Sequence, residues 1–181
     1  MRFANRRLAI SSPTMEARPA TVDDVPGVLP MVTQIAALHE RWDPAKYGFI
    51  ENPAERYRKW LTNRATDPRA VFLVAEREAT GDQPAKLAGF LIGTVEQEIP
   101  VYRVKEYGFI HDVWVEEEYR HEGVGRQLVT LALERFGQIG VPQVRLDTAA
   151  INEAARALFA RCGFRISIIE MLSELKPGGG T

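Results

Sequence analysis

A glycine turn between an apolar stretch and an amphipathic stretch has the residue types needed to hold a phosphate. Gly123 and Gly125 remove Cβ atoms where backbone must approach an anion, and Arg120 and Arg126 add positive charge. The first N–H groups of the following helix have no intrahelical partner, and the helix dipole is positive there. A helix-capping turn with solvated arginines is the simpler alternative, but the strand before and the helix after favour a pyrophosphate site.

Two common phosphate loops do not match this turn. A P-loop requires Lys followed by Ser or Thr after its last glycine, and Arg126-Gln127 stands there. The dinucleotide fingerprint requires a third glycine, and Leu128 occupies that position. A nucleotide-binding protein is therefore the least favoured of the function classes considered.

The turn resembles the acetyl-CoA loop of the GNAT acetyltransferase superfamily, which has the form Arg-x-x-Gly-x-Gly. Ile110–Val115 is similar to that family's fourth strand, Asn152–Ala155 to the start of its fourth helix, and Gly163-Phe164 to the end of that helix. Met15–Thr21 is similar to its first strand, so the resemblance covers about residues 15–175. It implies an enzyme that transfers an acetyl group from acetyl-CoA to a primary amine, by direct attack in a ternary complex.

The resemblance also implies where the cofactor binds. The pantetheine arm would lie along the backbone of the fourth strand, where strands four and five splay apart, and the pyrophosphate would lie in the glycine turn. Asn152 is also explained as a helix N-cap, and Arg156 as a solvated arginine. The implied cofactor-binding residues are Val113, Trp114, Val115, Arg120, His121, Glu122, Gly123, Val124, Gly125, Arg126, Asn152, Arg156 and Phe159.

Acetylation of an amine requires a base, because a lysine-like amine of pKa about 10.4 arrives charged. His111 titrates near neutral pH and stands where some family members have a catalytic histidine or glutamate; Asp112 is the alternative. Strict strand alternation places His111 on one face with Phe109 and Asp112 on the other, although a bulge could change the phase. The structural alternatives are a histidine bonded to a neighbouring carboxylate and a surface aspartate.

The tyrosine that many family members use as the general acid is missing. In this chain Phe159 follows Ala157-Leu158 in the predicted fourth helix, and no tyrosine occurs after Tyr119. An unassisted thiolate with a thiol pKa near 8.5 costs roughly 2 kcal/mol at about pH 7, so acyl transfer survives the loss. The alternative function that this departure keeps open is a non-catalytic acyl-CoA-binding sensor or scaffold.

The acceptor is expected beneath two connections, one between the first two helices and one between the third and fourth strands. Both supply carboxylates and aromatic rings, a combination that suits a cationic amine. A small amine, an aminoglycoside and a protein amine all remain open as acceptors. The candidate substrate-binding residues are His39, Trp42, Tyr47, Tyr102 and Tyr107.

The elements that position these residues follow from periodicity and capping signals. Asp24 is predicted to open the first helix, Asn52-Pro53 the second, Val124 the third and Asn152 the fourth. The strands are predicted at Met15–Thr21, Val71–Glu76, Leu87–Val95, Phe109–Val115, Val144–Leu146 and, as one or two strands, Phe164–Leu175. We therefore predict an α/β (α+β) fold with a single mixed, mostly antiparallel sheet of six to seven strands, four flanking helices, and splayed strands 4 and 5.

The composition limits the remaining possibilities. The chain has 181 residues, 45% hydrophobic and 26% charged, which predicts one domain at 15–175 between a flexible arm at 1–14 and a flexible tail at 176–181. A net charge of −1 does not favour nucleic acid or a membrane surface as a partner. The single Cys162 and the absence of zinc spacing predict a cytoplasmic protein without a metal, as a monomer or homodimer.

Overall fold

The computed structural model describes residues 15–79 and 83–175, so the predicted arm at 1–14 and tail at 176–181 lie outside it. The described residues contain five strands and four α-helices. The helices are α1 (Val25–Trp42), α2 (Pro53–Ala65), α3 (Val124–Ile139) and α4 (Glu153–Arg161). The strands are β1 (Met15–Pro19), β2 (Val71–Arg77), β3 (Lys86–Gln97), β4 (Glu106–Val115) and β5 (Val144–Leu146).

The strands form one mixed sheet in the order β1-β2-β3-β4-β5. Neighbouring strands from β1 to β4 are antiparallel, and β5 is parallel to β4. The strand β5 pairs only with Gly108, Phe109 and Ile110, so β4 has no described partner on that side beyond Ile110. The structure therefore confirms the α+β fold, the mostly antiparallel sheet and the splay between strands 4 and 5.

A β-bulge interrupts β4 at the position of the predicted base. Ile92 pairs with Asp112 and Gly93 pairs with Ile110, so His111 is the extra residue on β4. The extra residue shifts the in-and-out alternation of β4 by one position. His111 and Asp112, which regular alternation would place on opposite faces, therefore lie on the same face of the sheet.

Both candidate bases consequently lie on the side of the sheet that α1 and α2 cover. His111 contacts the ring of Trp60, and Asp112 accepts a hydrogen bond from Tyr57. Val113 packs in the apolar cluster on the opposite side, against α3 and α4. The expectation that Asp112 faces away from His111 is wrong, and the bulge is the physical reason.

Each face of the sheet has its own apolar core. Val28 of α1 packs with Phe90 of β3 in the cluster on one face, and Leu128 and Phe136 of α3 belong to the cluster on the other face. Asp24 stands at the N-cap position of α1 as predicted, but its carboxylate turns back to accept from the backbone N–H of Thr21 at 2.7 Å. These two cores hold the ends of β3 and β4 in place, where the candidate site lies.

The sixth and seventh strands expected at Phe164–Leu175 are not formed. This stretch has no regular secondary structure, although its alternating apolar residues favour a strand. A strand also needs a ladder partner, and residue spacing alone does not supply one. The stretch leaves several large apolar side chains exposed: Ile166, Ile168, Ile169, Met171, Leu172 and Leu175.

The described residues contain neither a membrane-spanning helix nor a cluster of metal-binding side chains. None of the helices within 15–79 and 83–175 has the length and apolar character to cross a membrane. In the same residues no group of three or more His, Cys, Asp or Glu side chains is arranged to hold a metal ion.

Candidate active site

The turn at residues 120–126, called the glycine turn below, leaves backbone donors free in front of α3. Gly123 has φ 86° and His121 has φ 68°, both left-handed, and a Cβ at Gly123 would meet nothing within 4 Å. Glycine is therefore favoured at 123 by its φ and not by crowding. Within the described part of the chain, none of the backbone N–H groups from 121 to 126 donates a hydrogen bond to protein. This arrangement fits an anion.

The second glycine of the turn has a packing reason in addition. A Cβ at Gly125 would lie 3.1 Å from a methyl carbon of Leu158, so the glycine lets α3 approach α4 closely. Val124 is buried beneath the turn, whereas His121 and Glu122 are exposed at its tip. The backbone of the turn is thus held from below by packing and is open above.

The two arginines of the turn behave differently. Arg120 folds back onto β4, where its Nε donates to the carbonyl oxygen of Val115 at 3.0 Å and its guanidinium lies 4.9 Å from the centre of the Trp114 ring. Arg126 is exposed in the first turn of α3. Arg120 therefore occupies a backbone acceptor at the end of β4, and Arg126 is the arginine that extends from the helix start.

The start of α4 confirms the capping role of Asn152. Its Oδ1 accepts from the backbone N–H of Ala155 at 3.1 Å, while Arg156 donates to the carbonyl oxygen of Ala150 at 3.1 Å. Phe159 is only 8% exposed and packs edge-on against Phe164 at 5.7 Å. The structure thus places Phe159 in the core, which does not support a cofactor contact by its side chain.

The backbone of β4 from 112 to 115 connects the bulge at His111 to the segment that leads into the glycine turn. Asp112, Val113, Trp114 and Val115 pair with β3 on one side and have no described partner on the other. The Trp114 indole donates to Glu116 at 3.3 Å on the α1 and α2 side. The free side of this strand is available to an extended ligand, as the resemblance to GNAT enzymes implies.

Side chains from three strands meet on the sheet face that α1 and α2 cover. Opposite residues in the register are Thr94 with Phe109, Glu96 with Tyr107, and Phe109 with Arg145, and cross-strand partners share a face. The ring of Phe109 contacts that of His111 at 5.1 Å. We call this set the histidine face; it consists of Thr94, Glu96, Glu98, Tyr107, Phe109, His111 and Arg145.

Hydrogen bonds determine which nitrogen of His111 is basic. His111 Nε2 lies 2.6 Å from Thr94 Oγ1, and Thr94 Oγ1 lies 2.5 Å from Glu96 Oε1. A carboxylate only accepts, so the Thr94 proton points to Glu96 and the Thr94 oxygen accepts from Nε2–H. The neutral ring therefore has its lone pair on Nδ1, and the negative charge of Glu96 supports the ring through Thr94.

The surroundings of His111 hold its pKa below the usual 6.5. Burial is the largest cause, the nearby Glu96 carboxylate opposes it, and the positive charge of Arg64 adds to it. The Trp60 ring packs edge-on against the His111 ring at 5.3 Å, yet the His111 side chain is still 28% exposed. A reachable, neutral imidazole at physiological pH is a suitable proton acceptor.

Asp112 is a weaker base candidate in this geometry. Its Oδ2 accepts from the Tyr57 hydroxyl at 2.8 Å. Burial raises the pKa of Asp112 above its usual range, and the hydrogen bond from Tyr57 opposes that rise. Burial and the neighbouring carboxylate also raise the pKa of Tyr57. The pair joins α2 to the bulge and occupies one oxygen of the Asp112 carboxyl group.

The predicted acceptor residues fall into separate places. His39 stacks on Tyr47 at 4.8 Å and lies 5.4 Å from Trp42, and these rings form a small cluster at the C-terminal end of α1. Tyr107 lies on the histidine face, whereas Tyr102 is 55% exposed in the connection between β3 and β4. Of the five residues predicted, Tyr107 is the one that the structure joins to the row of rings ending at His111.

Several residues of the site were not found from the sequence. Tyr57 and Trp60 lie three positions apart on α2, a spacing that puts them on one helix face, but nothing in the sequence relates that face to the bulge. The sequence around Thr94 indicates only an ordinary strand position, and the sequence around Arg145 indicates only an exposed strand position. Their roles depend on the register of β3, β4 and β5.

Comparisons with known proteins identify the family to which this chain belongs. Residues 35–164 match the model of the Acetyltransferase (GNAT) family, so the chain belongs to the GNAT acetyltransferases. Human "N-acetyltransferase 8" is 32% identical over 146 residues, which are 76% of this chain and 59% of that protein. The chain thus spans less than two thirds of the length of this relative.

Solved structures show the same fold at low sequence identity. A mutant of the BH1408 protein from Bacillus halodurans superposes with a TM-score of 0.73 and 21% identity, covering 89% of this chain and 99% of that one. Glucosamine-6-phosphate N-acetyltransferase from Arabidopsis thaliana gives a TM-score of 0.62 and 20% identity, covering 90% and 99%.

Proposed function

We propose that residues 15–175 act as one acetyltransferase domain that transfers an acetyl group from acetyl-CoA to a primary amine. The observation that carries the proposal is the hydrogen-bonded series from His111 through Thr94 to Glu96, which lies beside the unpaired part of β4. It supplies a neutral base next to the strand that family membership associates with the acyl donor.

The residues present fit acetyl-CoA. The free N–H groups at 121–126 and the exposed Arg126 suit the pyrophosphate, and the unpaired backbone of Val113 and Val115 suits the amide-bearing pantetheine arm. Arg120 would need to release the Val115 carbonyl if that oxygen contacts the arm. When bound, acetyl-CoA supplies the activated acetyl thioester.

The chain's own residues then manage the proton. An acceptor that arrives as an ammonium ion gives its proton to Nδ1 of His111, and the resulting neutral nitrogen is the nucleophile. The ring becomes positively charged, and Glu96 stabilises that charge through Thr94 and directly, since its carboxylate lies 3.7 Å from Nε2. Phe159 offers no proton to the departing thiolate, so the thiolate leaves unassisted by α4.

The test is the release of free CoA thiol from acetyl-CoA in the presence of a panel of primary amines. The proposal requires turnover well above acetyl-CoA hydrolysis with at least one amine, together with an acetylated product of the expected mass. Tight acetyl-CoA binding without turnover on a broad panel contradicts it and supports the acyl-CoA-binding sensor instead.

A further inference from the structure

The carboxylates beside His111 are mostly occupied by the protein itself. Four carboxylates lie on β3, on β4 and in the connection between them. Glu98 is bonded to Arg145 at 2.6 Å, Glu106 to Arg69 at 2.6 Å, and Asp112 to the Tyr57 hydroxyl at 2.8 Å. Each of these three therefore has little to offer to a cation on a ligand.

Glu96 and Asp112 both have a neutral hydroxyl partner, but burial raises the pKa of Asp112, so Glu96 is the exposed carboxylate of the two. In the described part of the chain it has no lysine or arginine partner, and its hydrogen bond comes from the neutral Thr94 hydroxyl through Oε1. Its side chain is 43% exposed, compared with 15% for Glu98. Among the described carboxylates of β3, β4 and their connection, Glu96 is thus the exposed one beside His111 whose negative charge is not paired with an arginine.

The rest of this surface is aromatic and flanked by positive charge. Trp60 and Phe109 contact the His111 ring from two directions. The face of Tyr107, which could otherwise attract a cation, is covered by the Arg145 guanidinium at 3.8 Å. Arg64 lies 5.9 Å from the Trp60 ring and is paired with Asp67 at 2.6 Å, so a second positive charge on a ligand would meet carboxylates that already have an arginine partner.

We propose that the acceptor is a primary monoamine with an apolar or aromatic group next to the amine, and not a polyamine or an aminoglycoside. This inference rests on the proposed acetyltransferase function. Glu96 supplies the negative charge that attracts the single ammonium group to His111, and the apolar group packs against Trp60 and Phe109. A polycation binds poorly, because its additional ammonium groups lose water without finding a free carboxylate.

The first experiment compares acceptors on the wild-type protein. Phenylalaninamide and a short peptide beginning with Phe carry one amine beside an aromatic ring; spermidine and kanamycin carry several amines. We expect kcat/KM for the better aromatic monoamine to exceed that for spermidine and for kanamycin by at least about tenfold. The ratio between phenylalaninamide and the peptide shows whether the monoamine is a small molecule or a chain N-terminus.

The second experiment creates the missing anionic subsite. Arg145→Gln releases Glu98 and uncovers Tyr107, which lies directly opposite Glu96 in the register. The ratio of kcat/KM for spermidine to that for phenylalaninamide should rise about tenfold. Arg145→Lys is the matched control, because it keeps the positive charge on Glu98, and its ratio should stay close to that of the wild type.

The outcomes separate this inference from the function on which it rests. If no amine releases CoA thiol, the proposed function fails. If amines are acetylated but spermidine or kanamycin is preferred by the wild type, the monoamine inference is overturned and the function stands. An unchanged ratio in a folded Arg145→Gln protein also overturns the argument from occupied carboxylates; if that variant does not fold, the wild-type comparison decides.

Discussion

The glycine turn and the histidine face are built in opposite ways. The glycine turn is one continuous stretch that offers free backbone N–H groups, with positive φ at His121 and Gly123. The histidine face is assembled from side chains on β3, β4 and β5, with Trp60 added from α2. The two regions share no residues: the glycine turn offers backbone N–H groups, and the histidine face offers side chains.

This difference separates two properties of the proposed enzyme. Backbone N–H groups at a helix N-terminus do not titrate, so they bind an anion independently of pH. Changes in the glycine turn should therefore alter the affinity for acetyl-CoA. The histidine face holds the titrating group, so changes there should alter turnover and its pH dependence. Variants in each region can therefore confirm the separation or contradict it.

The largest effect is expected from His111→Ala. Removal of the base should lower kcat by about 100-fold, the lower end of general-base contributions. The dissociation constant of acetyl-CoA, measured by calorimetry, should change less than about twofold, because the imidazole lies outside the glycine turn. A parallel loss of acetyl-CoA affinity would contradict the separation of the two regions.

Gly123→Val should give the converse result. A β-branched residue at φ 86° is strained, and the backbone donors move when the turn relaxes, so affinity for acetyl-CoA should fall about tenfold. Turnover at saturating acetyl-CoA should fall much less. Gly137→Ala is the control. Gly137 has open space around it, as Gly123 does, but it lies in the last turn of α3, far along the helix from the glycine turn, so this change should leave the affinity for acetyl-CoA unchanged.

A smaller effect with a defined direction is expected from pH. Burial holds the pKa of His111 below 6.5, so the acidic limb of kcat/KM should have its midpoint below 6.5 in the wild type. Glu96 raises that pKa, so Glu96→Gln should move the midpoint to lower pH and reduce kcat/KM about fivefold. Glu106→Gln, on β4 but paired with Arg69, should not move it; a midpoint above 6.5 would contradict the account of His111.

The smallest effect is expected outside both regions. Asp24 bonds to Arg18 and to the Thr21 N–H, and its pKa is lowered chiefly by Arg18. Because the folded-state pKa is below the unfolded value of 3.8, the stabilisation is present above pH 3.8 and is lost as pH falls through the folded pKa.

Asp24→Asn should therefore cost about 1 kcal/mol of unfolding free energy at about pH 7 and much less in acid. Urea unfolding at both pH values measures the difference. At a temperature where the variant is folded, its kcat and its affinity for acetyl-CoA should match those of the wild type. This result would show that a loss of stability alone does not produce the changes expected from variants in the two regions.

The sequence predicted the glycine turn and the general fold well, because both depend on local signals. Gly123, the helix after it and the Asn152 cap are readable within a few residues, and the structure contains them. The histidine face was only partly readable. Tyr57 and Asp112 are 55 positions apart, and Thr94 and His111 are 17 apart, so their contacts exist only once the strands are in register.

Two errors have specific physical causes. The bulge at His111 adds one residue to β4, and alternation counted along the sequence has no means of detecting it. The alternating stretch at Phe164–Leu175 has strand-like composition but no ladder partner in the structure, since pairing depends on a neighbouring strand and not on the residues themselves.

The most direct test is the rate of CoA thiol release from acetyl-CoA with phenylalaninamide, measured between about pH 5.5 and 9 for the wild type and for His111→Ala. The wild type should turn over with an acidic limb below 6.5, whereas the variant should be about 100-fold slower, lack that limb and bind acetyl-CoA as tightly. Equal turnover of the two proteins across this range would contradict the assignment of His111 as the base and, with it, the division of function between the two regions.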